Sequence, residues 1–95
     1  MVMANNKSKI SSDHETVKRW AQERGGKPAK VKGTGGNGSV GMIRFTFSKT
    51  HHALEEISWD EFFKEFDKNG LALLYQEQTR DGKQSRFFKF ISKQR

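Results

Sequence analysis

The segment that decides the fold occupies residues 58–92 and reads SWDEFFKEFDKNGLALLYQEQTRDGKQSRFFKFIS. Its first part predicts an amphipathic helix, because four aromatic side chains recur at the spacing of one helix face: Trp59, Phe62, Phe63 and Phe66. Ser58 and Glu61 are spaced as a capping box, in which each side chain bonds the backbone N–H of the other residue. Gly70 is expected to end the helix.

The second part of this segment predicts a β-hairpin. Asp81-Gly82 is a dipeptide favoured at the centre of a two-residue turn, where the glycine takes a positive φ. Centring the turn there gives three cross-strand pairs: Tyr75 with Phe88, Leu73 with Phe90, and Glu77 with Arg86. This register collects apolar side chains on one face of the hairpin and places an opposite-charge pair at its rim.

Towards the N-terminus the sequence predicts a second helix. Ser12 and Glu15 are spaced as a second capping box. The expected buried stripe of this helix consists of Val17, Trp20 and Ala21. Gly25-Gly26 is expected to end the helix, and Pro28 prevents its resumption.

A third strand is predicted between the two helices. Residues 32–41 are too rich in glycine for the interior of an element and read as a loop. Residues 41–47 then alternate. One face is expected to carry Ile43, Phe45 and Phe47, and the other Met42, Arg44 and Thr46.

Together these elements predict an α+β fold in the order α-β-α-β-β. We expect a three-stranded antiparallel sheet with two helices packed on one face. Residues 1–11 have no periodicity and are expected to form a flexible tail, whereas residues 12–95 are expected to form a single domain. Residues 48–53 read as a polar connector.

Composition excludes several classes of function. A chain of 95 residues without cysteine has no disulfide, zinc-thiolate site or thiol nucleophile. The adjacent His51 and His52, with His14 far upstream, do not have metal-ligand spacing, so we expect no metal and no cofactor. The absence of an apolar segment argues against secretion and membrane insertion and favours a cytoplasmic protein.

Positive charge is concentrated in the first half of the chain. Residues 1–53 hold ten Lys or Arg against three Asp or Glu, whereas residues 54–95 hold eight of each. No acidic residue lies between Glu23 and Glu55, although six basic residues do. Such a field attracts phosphate or carboxylate groups, and the alternative explanation is that the excess lysine only keeps the protein soluble.

The glycine-rich loop matches a nucleotide-binding pattern without its context. Residues 33–40 read GTGGNGSV, which fits G-x-G-x-x-G-x-V. No predicted strand precedes the loop, no helix follows it, and the other kinase motifs are missing, so a flexible connector is favoured. A weaker possibility is that its consecutive amides form an anion-binding nest beside Lys30 and Lys32.

The chain resembles a family of small bacterial proteins that carry the name "1,4-alpha-glucan branching enzyme". The resemblance spans about residues 13–91 and is carried by WAxxRGGKPA at 20–29, LEEISWDEFF at 54–63, LALLYQE at 71–77 and DGKQSRF at 81–87. It implies no catalytic residue for this chain.

A branching activity conflicts with the chemistry of the chain. Retaining glycosyl transfer needs two carboxylates about 5 to 5.5 Å apart in a cleft that excludes water. Most acidic residues here are assigned to helix caps, a cross-strand pair or a turn, and the adjacent Glu55 and Glu56 are expected to diverge. We therefore expect no enzymatic activity and no catalytic residue.

The sequence favours a non-enzymatic binding domain for an anionic partner, with nucleic acid placed first. Phe87 is expected on the outer sheet face, where it could stack on a base. The predicted contacts are Arg24, Lys27, Lys30, Lys32, Arg44, Phe87 and Lys89. The alternative is a protein-interaction or stress-accessory module that uses exposed Leu74, Phe87 and Ile91. A monomer is favoured over a dimer formed through that surface.

Overall fold

A computed structural model of the protein describes residues 7–36, 39–47 and 52–93. The elements follow one another along the chain as β1 (Ser8–Ser11), α1 (His14–Glu23), β2 (Lys27–Val31), β3 (Ile43–Thr46), β4 (Leu54–Glu56), α2 (Trp59–Lys68), β5 (Leu71–Gln76) and β6 (Phe88–Ser92). The strands form two antiparallel sheets of three strands each, ordered β1-β5-β6 and β3-β2-β4. The α+β class is confirmed, but the single three-stranded sheet is wrong.

Both helices pack on the same inner side of the two sheets. Fully buried side chains of α1 and α2, among them Val17, Trp20, Phe62 and Phe66, meet the inner face of each sheet in one core. The sheets present their other faces outward, where Met42 of the β3-β2-β4 sheet and Ile10 of the β1-β5-β6 sheet are exposed. The molecule is correspondingly flat, with extents of 53 × 37 × 17 Å.

The helix starts and ends follow local side-chain chemistry. Ser58 and Glu61 form the predicted capping box at the start of α2. The first helix begins one residue later than predicted: the carboxylate of Asp13, not the hydroxyl of Ser12, accepts the N–H of Thr16. Gly25 follows α1 at a φ of 73°, the left-handed conformation that favours glycine after a helix.

Three strands were missed in the sequence. The last residues of the expected tail form β1, in which Ile10 pairs with Leu74. Of the expected connector at residues 48–53, residues 48–51 lie outside the described residues. The strand β4 begins directly after this connector, at Leu54. Pro28 lies in the central strand β2, a position that usually excludes proline. Its carbonyl accepts the N–H of Ile57, so Pro28 faces β4, and the bond that it cannot donate is the reciprocal one to Ile57, just beyond the end of β4.

The predicted hairpin register is confirmed, but its turn is different. Tyr75 pairs with Phe88 and Leu73 with Phe90, as predicted. Gly82 N–H bonds Thr79 C=O at 3.0 Å, so the turn is centred one residue earlier than expected, and Gly82 follows it at a φ of 84°.

The predicted pair between Glu77 and Arg86 is wrong. Ser85 N–H bonds Glu77 C=O at 3.1 Å, which leaves Arg86 as the extra residue of a bulge. The freed Arg86 guanidinium lies over the ring of Phe47, 5.7 Å from its centre. The bulge offsets the one-residue shift of the turn. The strand register is therefore the same as for a two-residue turn centred on Asp81-Gly82.

Candidate functional site

A groove of about 460 Å³ lies between the two sheets. One wall is the edge strand β3 with the residues before it, and the other is the edge strand β6 with the start of β5. We call this the inter-sheet groove. Its lining residues are Gly41, Met42, Ile43, Arg44, Asn69, Leu71, Phe88, Lys89 and Phe90.

The groove exists because β3 and β6 face each other without joining. Their Cα atoms mostly lie more than 8 Å apart, whereas neighbouring strands in a sheet are about 4.8 Å apart. Among the described residues, β3 pairs only with β2, and β6 only with β5. The gap is therefore wider than a strand pair.

Beneath the gap, aromatic rings bridge the two sheets. Phe45 of β3 lies 5.1 Å from Phe88 and 5.4 Å from Phe90, measured between ring centres. Phe47 approaches Phe88 at 6.1 Å. Phe47, just after β3, lies near Phe88 at the start of β6, whereas Gly41, before β3, lines the groove with Leu71, whose partner Ser92 ends β6, so the two strands run in opposite directions along the groove. The rings form an apolar floor that excludes water from below.

Each wall presents backbone groups to the groove. Val31 N–H bonds Met42 C=O at 2.8 Å, so the alternation of an antiparallel pair turns the N–H and C=O of Ile43 and Phe45 away from β2. Lys93 N–H bonds Gly70 C=O at 2.7 Å, and the same alternation turns those groups of Phe88 and Phe90 away from β5. Both open edges thus point into the gap.

The groove is basic. Arg44 and Lys89 line opposite walls, and both side chains are exposed. Within the described part of the chain, neither side chain has an ion-pair partner, and no acidic residue lines the groove. Two free cations on facing walls attract a negatively charged group between them. Of the seven predicted contacts, these are the two that the fold brings into one site.

Arg24 is a structural residue, contrary to the prediction of an anion contact. It is only 5% exposed. Its guanidinium donates to the carbonyls of Trp20 at 3.0 Å, Glu77 at 2.9 Å and Ser85, and lies 4.5 Å from the centre of the Trp20 ring. It also lies 3.5 Å from a carboxylate oxygen of Glu23 and 3.4 Å from one of Glu77, so its donors are taken within the protein and it is not available to a ligand. The bonds to Glu77 and Ser85 link the end of α1 to the β5-β6 hairpin.

The other predicted basic contacts are dispersed. Lys30 lines a separate cavity of about 330 Å³ together with three carboxylates, those of Glu55, Glu56 and Glu61. The acidic residues missing from this stretch of sequence are thus supplied by β4 and α2. Lys27 and Lys32 are exposed and lie outside the inter-sheet groove.

The glycine-rich loop already binds a carboxylate of the protein. Glu65 of α2, only 4% exposed, accepts the backbone N–H of Val40 at 2.9 Å and the hydroxyl of Ser39 at 3.0 Å. Burial is the largest influence on its pKa and opposes ionisation, but the bonds from Val40, Asn69 and Ser39 together lower the pKa below its ordinary value. An internal anion therefore takes donors at the end of the glycine-rich loop, and these are the Ser39 hydroxyl and the Val40 amide rather than the glycine amides of the nest hypothesis.

Apolar side chains are exposed on the outer face of the β1-β5-β6 sheet. Phe87, just before β6, is 47% exposed, in agreement with its prediction as an outer residue. Leu74 and Ile91 are half-buried. Ile10, 64% exposed, lies beside Leu74 and was missed because its segment was assigned to the tail. We call Ile10, Leu74, Phe87 and Ile91 the outer apolar patch.

The histidines do not form a site in the described part of the chain. His14 stacks on Phe63 at 4.0 Å between ring centres, and its Nε2 lies 2.8 Å from a carboxylate oxygen of Asp67. His52 is exposed, and His51 lies outside the described residues. Over those residues, no group of three or more potential ligands is placed to hold a metal ion, and no helix is long and apolar enough to cross a membrane.

Comparison of the chain with protein-family models, curated proteins and solved structures finds no match. Sequence reasoning found Arg44 and Lys89 from their positions on alternating strands. Met42, which was placed on the same outer strand face as Arg44 but was not included among the predicted contacts, is 56% exposed at the groove.

Proposed function

We propose that the protein is a non-enzymatic, cytoplasmic binding domain whose inter-sheet groove holds an anionic segment of a partner. One observation carries the proposal: Arg44 and Lys89 extend from opposite walls of a single groove, and no acidic residue of the described ranges lines it. The apolar floor strengthens the attraction, because charges interact more strongly where water is partly excluded.

This proposal moves the site from the basic loop to the groove. The loop hypothesis rested on Arg24, Lys27, Lys30 and Lys32. The Arg24 guanidinium donates to backbone carbonyls, and Lys30 shares a cavity with three carboxylates. Nucleic acid, the first partner expected from the sequence, and an acidic protein segment both supply the charge that the groove requires. The proposal includes no glucan-branching chemistry, even if the chain belongs to the family that it resembles.

The test is a titration at low salt with two probes, a single-stranded oligothymidylate and polyglutamate. We expect at least one probe to bind, and its affinity to weaken as salt is added. For two nucleic-acid phosphate contacts the log-log slope would be about −1.4. Arg44→Glu with Lys89→Glu should abolish this binding.

Lys64→Glu with Lys83→Glu is the matched control, because it changes the net charge equally at two exposed positions outside the groove. Retention of affinity by the control and loss by the groove variant support the proposal. Equal losses in both variants would assign the binding to overall charge, and the groove would then not be the site.

The outer apolar patch supports a second candidate function, a protein-interaction surface. Ile10 and Phe87 are exposed there, and no helix covers this face in the described part of the chain. Apolar docking releases few counterions, so binding through the patch would be nearly independent of salt. Leu74→Ser, which places no charge opposite its cross-strand partner Lys89, should weaken such an interaction without affecting the binding of an anionic probe in the groove.

A further inference from the structure

We propose that the ligand of the inter-sheet groove is an extended acidic peptide segment that inserts between β3 and β6 as an additional strand. This inference rests on the proposed function and names the partner class. Insertion would join the two three-stranded sheets into one sheet of seven strands. Such strand addition is an established way for a domain to recognise an extended peptide.

The open backbone groups favour a peptide over a nucleic acid. Ile43 and Phe45 on one wall, and Phe88 and Phe90 on the other, direct both N–H and C=O groups into the gap. A phosphodiester backbone offers acceptors for the N–H groups and no donor for the carbonyls. A peptide strand offers both along each side, so it satisfies all of these groups.

The spacing of the two walls is compatible with one inserted strand. A strand inserted between two others separates them by about 9.6 Å, twice the usual spacing. Cα atoms of β3 and β6 lie mostly more than 8 Å apart, so the two strands do not pair directly, while the contacts of Phe45 with Phe88 and Phe90 keep the two walls within side-chain reach of each other. Because β3 and β6 run in opposite directions, the inserted strand is parallel to one and antiparallel to the other, as in a mixed sheet.

The side chains of the groove specify the pattern of the peptide. Arg44 and Lys89 project on the outer face, so acidic residues are favoured at alternate positions of the peptide that point outward. The intervening residues point at the floor, where Phe45 already packs against Phe88 and Phe90. Small side chains are therefore favoured at those positions. The preferred sequence alternates acidic and small residues.

The experiment compares three peptides on the full chain by calorimetry or fluorescence anisotropy. The first is acetyl-Glu-Ala-Glu-Ala-Glu-amide. The second is the same peptide with both alanine nitrogens methylated, which keeps its charge and removes backbone donors. The third, acetyl-Glu-Glu-Glu-Ala-Ala-amide, keeps composition and charge and loses the alternation. Oligothymidylate serves as the nucleic-acid probe.

We expect the alternating peptide to bind at least about tenfold more tightly than the methylated and rearranged peptides, since each loses hydrogen bonds or pairing. Equal affinities for all three would overturn strand insertion and leave anion binding in place. Arg44- and Lys89-dependent binding of oligothymidylate alone would also overturn it, and would assign the groove to nucleic acid. Binding of no probe would overturn both this inference and the proposed function.

Discussion

Single residues determine which charged groups remain available to a partner. Arg24 and Arg44 both belong to the basic half of the sequence, yet only Arg44 is exposed. Arg24 follows α1 as its C-cap residue, and its side chain is buried against the hairpin. Its N–H groups donate to the carbonyls of Trp20, Glu77 and Ser85. Sequence spacing cannot separate these cases, because two of the three carbonyls that accept from Arg24, those of Glu77 and Ser85, lie more than fifty positions away in the chain.

The burial of Arg24 predicts that its replacement destabilises the fold. Arg24→Met keeps apolar contact with Trp20 and leaves buried carbonyls without donors. We expect a loss of about 2 to 4 kcal/mol in the free energy of unfolding. Arg19→Met, at an exposed position of the same helix, should change it by less than about 0.5 kcal/mol. Equal denaturation midpoints for the two variants would show that Arg24 is not a structural donor.

Glu65 predicts a pH-dependent contribution to stability. Its pKa in the folded protein lies below the ordinary value of 4.5, so the charged form stabilises the fold above that pH. The contribution is lost as pH falls through the lower folded pKa. The difference in unfolding free energy between the wild type and Glu65→Gln should therefore be large near pH 7 and shrink in acid. A difference that stays constant with pH would contradict the ionised contact with Val40.

Among the helices and strands, the ones that could be predicted have a hydrophobic or capping pattern within their own residues. The α2 helix has its cap and its aromatic face within one segment, and the β5-β6 register follows from alternation on both strands. The strands β1 and β4 have only four and three residues, and β2 contains Pro28, a residue that argues against a central strand. The pairing of β1 also depends on a distant partner, β5. Ser8–Ser11 contains one apolar residue, so nothing local separates this strand from a tail.

The pairing of β1 with β5 makes a positional prediction. Gly70 C=O points to β6, so alternation directs the backbone groups of Tyr75 towards β1 and its partner Lys9. Lys9→Pro removes the N–H from this ladder, whereas Ile10→Pro removes one that faces away from β5. We expect Lys9→Pro to lower the melting temperature more than Ile10→Pro. If both variants have the same melting temperature as the wild type, residues 8–11 do not form a paired strand.

For the whole molecule, the layer arrangement could be predicted and the site could not. Two helices on one side of antiparallel strands follow from the faces of α1, α2 and β5. The split into two sheets could not be seen in the sequence, because it depends on which edges remain unpaired after β1 and β4 are added. Arg44 and Lys89 were recognised as outer residues. Their position on facing walls is a consequence of that split.

The central claim is that the open edges of β3 and β6 form one binding site. Amide hydrogen exchange, measured residue by residue with and without the alternating acidic peptide, tests it most directly. We predict that exchange slows at Ile43, Phe45, Phe88 and Phe90, whose N–H groups face the groove, while α2 amides are unchanged. Slowing confined to the glycine-rich loop or the outer apolar patch, with these four amides unaffected, would contradict the claim.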